Sequence, residues 1–270
     1  MIENDFYQLS FQQDQIKILD KASGQYLFDE SANFNPAAIV VRSVSDASID
    51  CPTMEGAKVT QHGPVFSAIE LRGSMDKVPV IVQEIRVFHQ VKKIEVATRM
   101  LKDASPFYEY YVAFPFDVKN SQYRLSAVNA QMEPIRDQLP GTNTDAYTAQ
   151  NGLSLFNDNI TIHWNSLDAP IVRFDKMWPG YVSQAHHGKT PPGYRHSFAD
   201  VFTSGHIYSL VSVNNFRTNF SPSISGDLLF RYRITSQAGT YDAASSYRQQ
   251  QQLAHPLLPV VVEGPQSGSL

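Results

Sequence analysis

The chain has 270 residues, with 22 lysines and arginines against 26 aspartates and glutamates, so its formal net charge is −4 at pH 7. This acidic balance argues against a general nucleic-acid binder, because such proteins need a basic face for the phosphate backbone. Hydrophobic residues reach 42%, which argues against disorder, and the single cysteine, Cys51, rules out an intrachain disulfide.

Alternation of apolar and polar residues, the pattern of β-strands, recurs along the chain. In chain order the runs that show it are residues 7–11, 94–100, 108–116, 160–164 and 228–234. One stretch, residues 241–254, reads as a helix, with Thr240 or Asp242 as its N-cap and Pro256 as its stop. We therefore predict an all-β fold, a large antiparallel two-sheet sandwich with one short helix near 241–254.

The last of these runs carries Arg231 and Arg233 on a single face, because successive outward positions of a strand are two residues apart. That face of the strand is expected either to contact solvent or to line a polar groove. The sequence pattern leaves both alternatives open.

Residues 1–258 are predicted to form one domain, and residues 259–270 are predicted to be the truncated start of a following β segment. The first residues show neither the basic nor the apolar region of a signal peptide, which favours a cytoplasmic location unless the N-terminus is a boundary inside a longer protein. No apolar run approaches the roughly 20 residues of a spanning helix, so no membrane partner is expected.

Two long segments without strand periodicity, residues 128–145 and 178–200, interrupt this pattern, and long irregular loops often carry function. Four of the histidines lie in or near the second segment: His186, His187, His196 and His206. Their spacing matches no zinc-binding motif, so we predict no metal site. Five aspartates are candidates for catalysis by residue type only: Asp137, Asp145, Asp168, Asp175 and Asp200. No nucleophile motif accompanies them, so we predict no catalytic residue.

Sugar recognition is more plausible, because it needs flat aromatic surfaces and planar polar side chains. The chain has 13 tyrosines, 16 phenylalanines and 2 tryptophans, most of which are expected to fill the core. Residues 214–220 add an amide-rich stretch with one arginine, NNFRTNF. A polar structural turn and a binding site both remain open for this stretch.

Four segments resemble the C-terminal region of glycoside hydrolase family 38. Residues 111–118 (YVAFPFDV) are similar to its AFPF strand, and residues 133–141 (EPIRDQLPG) to its DQLPG segment. Residues 168–172 (DAPIV) resemble its DAPLV segment, and residues 214–220 resemble N-x-W-x-T-N-F with Phe216 at the tryptophan position. The order and spacing of the four segments agree over nearly the whole chain.

The resemblance implies the galactose-mutarotase-like β-supersandwich of an α-mannosidase-type enzyme, a domain without the catalytic machinery. In that family the zinc ligands and the aspartate nucleophile belong to a preceding α/β domain and an adjoining helical bundle, which have no counterpart here. No cofactor is therefore expected in this segment, and by itself it is expected to be inactive. The implied partners are the catalytic domain of the same polypeptide and a carbohydrate.

The polar residues of the family-like segments that lie outside the strand runs are the predicted carbohydrate or interdomain contacts. They are Arg136, Asp137, Gln138, Asn215, Arg217 and Asn219. A stand-alone carbohydrate-binding module is one alternative. An aldose epimerase-like enzyme is another, and it would need a histidine facing a glutamate, for which Glu109 and Glu133 are the candidates.

Overall fold

The computed structural model describes residues 1–12, 15–128, 130–140, 142, 144–177, 202–214, 223–255, 261 and 264. Within these ranges the chain forms 19 β-strands and one α-helix. The first ten strands are β1 (Ile2–Glu3), β2 (Tyr7–Gln12), β3 (Gln15–Asp20), β4 (Gln25–Tyr26), β5 (Ala38–Ser43), β6 (Ile49–Asp50), β7 (Thr53–His62), β8 (Phe66–Met75), β9 (Val78–Phe88) and β10 (Ile94–Lys102). The others are β11 (Tyr108–Phe116), β12 (Gln122–Ala127), β13 (Ala130–Met132), β14 (Tyr147–Thr148), β15 (Leu153–Phe156), β16 (Ile160–Ser166), β17 (Ile171–Phe174), β18 (Gly205–Asn214) and β19 (Gly226–Ala238), and the helix is α1 (Ala243–Ala254).

These strands form three antiparallel sheets. The largest has nine strands in the order β13-β12-β15-β16-β19-β10-β9-β8-β7, and the second has six in the order β14-β17-β18-β11-β5-β6. A small N-terminal sheet, β1-β2-β3-β4, accompanies them. The predicted all-β sandwich is confirmed, and each of the five runs predicted from alternation lies in a strand.

The core lies between the two large sheets, where the inward side chains of β11 meet those of β16 and β19. The ring of Phe114 packs edge-on against Trp164 at 5.6 Å and against Tyr232 at 4.8 Å between ring centroids. All three side chains are buried. Alternation along β11 therefore places its aromatic face in the core, as the period-two pattern predicts.

Helix α1 follows β19 and covers one half of the outer face of the nine-stranded sheet. The carboxylate of Asp242 accepts a hydrogen bond from the Ser245 backbone at 2.6 Å, so Asp242 is the N-cap that begins the helix. Beneath it, Gln250 donates to the Ser154 hydroxyl, whose Oγ lies 2.7 Å from Nδ1 of His163. Burial under α1 lowers the pKa of His163 to about 4, so this imidazole is neutral at pH 7.

The other half of that outer face, over β9, β10 and the first part of β19, is left open by α1. Among the described residues, no helix combines the length and apolarity that crossing a bilayer would need. Most of the predicted segment 259–270 lies outside the described residues, as do residues 178–200 of the second irregular loop.

Candidate functional site

The first three predicted contact residues lie in one tight turn that precedes β14. Ile135 has a φ of 73°, in the left-handed region that most residues avoid, so the turn needs side-chain support. Gln138 supplies it, because its Oε1 accepts hydrogen bonds from the Ile135 backbone and from the Tyr147 hydroxyl, each at 2.8 Å. Asp137 accepts a bond from the Glu133 backbone at 2.7 Å. Both side chains therefore stabilise the turn itself.

Arg136 differs from its two neighbours because its side chain is 75% exposed. Its Nη1 lies 3.1 Å from Oε2 of Glu133, and Arg124 holds the same carboxylate oxygen at 2.9 Å. A guanidinium has five donors, so one surface ion pair leaves most of them directed at solvent. Asp137 is also exposed, but its carboxylate bonds the turn backbone, so Arg136 is the residue whose donors are available to a partner.

A cavity of about 210 Å³ adjoins Arg136. The residues that line it are Ser121, Gln122, Tyr123, Glu133, Pro134, Ile135, Arg136 and Phe202. The rings of Tyr123 and Phe202 meet nearly perpendicularly, with centroids 5.6 Å apart. This combination of aromatic rings and planar polar groups is the kind of surface that the sequence predicts for sugar contact.

The other three predicted residues, Asn215, Arg217 and Asn219, lie outside the described residues, as do His186, His187 and His196. The stretch begins with Asn214, which is described and buried. Its amide nitrogen donates to the Ser105 carbonyl at 3.1 Å, and its amide oxygen accepts from the Ser212 hydroxyl at 3.0 Å. This first amide has a structural role.

We expect Arg136→Ala and Gln138→Ala to separate contact from support within this turn. Arg136→Ala is expected to change the Tm of the chain by less than about 2 °C, because it removes one exposed ion pair. Gln138→Ala is expected to cost about 1–2 kcal/mol, because it removes two hydrogen bonds that hold the turn. Thermal melts of both variants measure the difference. An equal loss of Tm in both would assign Arg136 to the fold as well.

Glu109, a candidate base for an epimerase, lies in a buried ionic cluster on the outer side of the six-stranded sheet. Its Oε2 accepts hydrogen bonds from Nη2 of Arg42 at 2.7 Å and from the Tyr111 hydroxyl at 2.6 Å. Nη2 of Arg173 lies 3.8 Å from its Oε1. All four side chains are buried. This carboxylate lies between two guanidinium groups, an arrangement that suits a buried ion pair of the fold.

His206 lies on β18, the neighbour of the strand that carries Glu109, but the two residues are far apart along the strands. Glu109 is opposite Val213, whereas His206 is opposite Pro115, six residues further along β11. At about 3.3 Å per residue this offset is roughly 20 Å. The imidazole Nε2 lies 3.2 Å from a carboxylate oxygen of Asp29 instead. Among the described residues, no group of three histidine, cysteine or acidic side chains is arranged to hold a metal ion.

A second cavity, of about 280 Å³, lies on the open half of the nine-stranded sheet. Its lining is Glu84, Arg86, Glu95, Val96, Ala97, Leu167, Leu229, Arg231, Tyr232 and Arg233. The two arginines that the sequence places on one strand face line this groove, and Arg231 is also half-exposed. The alternation of Arg231 and Arg233 is therefore the part of this groove that the sequence signals. The acidic residues of the lining, Glu84 and Glu95, come from other strands.

The sequence matches no protein-family model and no curated protein. In structure, the chain is similar to an α-mannosidase from Enterococcus faecalis V583, with a TM-score of 0.65, 10% identity, and coverage of 94% of this chain and 31% of that one. A glycosyl hydrolase family 38 protein from Enterococcus faecalis is similar with a TM-score of 0.64 and 10% identity, over 94% of this chain and 32% of that one. A galactose mutarotase-like protein from Lactobacillus casei ATCC 334 has a TM-score of 0.45 and 10% identity, over 87% of this chain and 99% of that one. The chain thus has the fold of a part of the two Enterococcus faecalis proteins and spans about a third of their length.

Proposed function

We propose that this chain is a non-catalytic β-sandwich domain of an α-mannosidase-type glycoside hydrolase, which supports the catalytic domain of the same polypeptide and contributes to its carbohydrate site. The observation that carries the proposal is the partial correspondence, in which 94% of this chain matches 31% of an α-mannosidase. A domain of that kind has a complete core of its own and leaves the chemistry to the remainder of the enzyme.

The described carboxylates support a non-catalytic role, because the candidates for acid or base have structural partners. Glu109 is held by two arginines, and Glu133 by Arg124 and Arg136. Asp168 is bonded by the guanidinium of Arg231, and Asp175 accepts from Thr203. Burial raises the pKa of the Asp168 carboxyl, but the hydrogen bonds and charge of Arg231 outweigh it and hold that pKa below its ordinary value. Such a carboxylate is suited to positioning rather than to general acid catalysis.

Zinc, which the resemblance assigns to the preceding catalytic domain, has no fitting group of ligands among the described residues. We therefore give it no role in this chain. The contribution of the chain itself would be a contact surface, for which Arg136 and the cavity beside it are the described part of the predicted site. An exposed guanidinium can bond a carboxylate of another domain in fork geometry, or two neighbouring sugar hydroxyls.

We expect the purified chain to leave aryl α-mannosides intact, with or without added zinc, while the complete gene product hydrolyses them. Arg136→Ala in the complete gene product is expected to lower kcat/KM without changing the Tm of the chain. Release of the aryl group, followed by absorbance, measures the activity, and a thermal melt measures the Tm. Turnover by the chain alone that one Asp substitution abolishes would overturn the proposal. Mutarotation of an aldose by the pure chain would support the epimerase alternative instead.

A further inference from the structure

The open half of the nine-stranded sheet presents a groove whose form is set by strand register. Ala97 on β10 lies directly between Glu84 on β9 and Arg231 on β19, and all three side chains point to the outer face. Strands are spaced about 4.8 Å apart, so the backbones that carry Glu84 and Arg231 are roughly 10 Å from each other. Because Ala97 has only a methyl group, the space between the two long side chains is empty.

The next outward row along the same three strands closes one end of the groove with polar groups. Glu95 lies between Arg86 and Arg233 in register. Nε of Arg233 is 3.2 Å from Oε1 of Glu95, and Nη1 of Arg233 donates to the Leu253 carbonyl at the end of α1. The helix therefore helps to hold one wall of the groove in place.

The charged side chains in and beside this groove form ion pairs with one another. Arg86 pairs with Glu84, Arg233 with Glu95, and Arg231 with Asp168. The guanidinium of Arg231 bonds both oxygens of Asp168, at 3.1 and 2.9 Å, which fixes its orientation. Lys93 adds a further cation at the same oxygen of Glu95, at 3.0 Å. The groove thus offers oriented donors and acceptors whose charges are already engaged in ion pairs.

Two apolar side chains complete the lining of the groove. Leu229 is 48% exposed and belongs to the groove together with Leu167. A cavity of about 280 Å³ is just below the range of roughly 300–1,000 Å³ that is usual for small-molecule sites. A ligand that matches this lining is small and uncharged, has one apolar face, and carries hydroxyls that both donate and accept hydrogen bonds.

We propose that this groove is a binding site for a neutral sugar ring, with Ala97 as its floor, Glu84 and Arg231 bonding the hydroxyls, and Leu229 contacting the carbon face. The site is separate from the Arg136 turn. The choice of mannose as the ring to test rests on the proposed function, whereas the sugar class follows from the chemistry of the lining.

Titration of the full chain with methyl α-mannoside and with α-linked mannobiose, followed by NMR or calorimetry, tests this site. We expect saturable binding that Ala97→Gln weakens by about tenfold or more, because the longer side chain fills the groove while every polar group stays. Ala130→Gln, on the exposed strand β13 of the same sheet, is the matched control and is expected to bind like the parent chain. Arg231→Lys is a second variant, expected to weaken binding because lysine lacks the planar fork.

Absence of saturable binding, or equal binding by the parent chain and Ala97→Gln, would overturn the sugar site. Tighter binding of methyl glucuronide than of the neutral sugars would overturn the ligand class. If the chain binds sugar but the complete gene product is inactive, the site is supported and the proposed function is rejected. If the gene product is active but the chain binds no sugar, the site is rejected and the proposed function is supported. The two failures are therefore distinguishable.

Discussion

Glu109→Gln is expected to lower the free energy of unfolding by about 3–5 kcal/mol, because it removes one partner of a buried ionic cluster. The substitution keeps the shape of the side chain and the hydrogen bond from Tyr111 is still geometrically feasible. It nevertheless removes the negative charge that both buried guanidinium groups, those of Arg42 and Arg173, contact. Urea unfolding of the variant beside the parent chain measures the loss through the shift in midpoint.

Glu70→Gln is the matched control for this experiment. Glu70 also pairs with an arginine on a strand, since its Oε1 lies 2.9 Å from Nε of Arg72, but that pair is exposed to solvent. Exposed pairs contribute about 0–1 kcal/mol, so the control is expected to unfold almost like the parent chain. A Glu109 variant as stable as the Glu70 variant would show that the cluster is dispensable for the fold and would reopen a catalytic role for this carboxylate.

Alternation predicts the strands of this protein where they are long, including β11, which is buried on both faces. In β11, Tyr110, Val112 and Phe114 point into the core, as period two requires. Of the small N-terminal sheet the alternation predicts β2, whereas β1 and β4 have only two residues each and show no period. The position of this sheet depends on contacts with residues far along the chain, which local sequence does not encode.

The candidate sites were less predictable because they depend on register. The sequence offers Glu109 only as one of two candidate bases for the epimerase alternative, and it does not reveal the partner Arg42, which lies 67 residues earlier, opposite Glu109 on β5. The groove on the nine-stranded sheet similarly depends on Ala97, which nothing in its own strand distinguishes from a filler residue. Only the pairing of β9, β10 and β19 shows that this alanine separates an acidic from a basic side chain.

Asp20→Asn is expected to weaken the packing of the N-terminal sheet on the sandwich and to cost about 3 kcal/mol. The carboxylate of Asp20 is buried, and Nζ of Lys92 lies 2.9 Å from each of its oxygens. The hydroxyl of Ser236 on β19 donates to it at 2.8 Å, and Ser236 also bonds the Tyr7 hydroxyl. One carboxylate thus joins β3, the β9–β10 turn and the nine-stranded sheet. Asparagine can accept only part of these bonds and lacks the charge that Lys92 requires.

A double-mutant cycle with Lys92→Met separates the ion pair from the other bonds of Asp20. If the pair dominates, the double variant will lose less stability than the two single variants together, because each single change leaves a charge without its partner. Asp46→Asn, in an exposed turn where the carboxylate accepts from the Ser48 backbone at 3.0 Å, is the control for the substitution itself.

The rate of hydrogen exchange of β2 and β3 should rise in Asp20→Asn while that of β11 changes far less, because the loss begins where the N-terminal sheet meets the sandwich. Equal acceleration in both regions would mean that the N-terminal sheet and the sandwich unfold as a single unit.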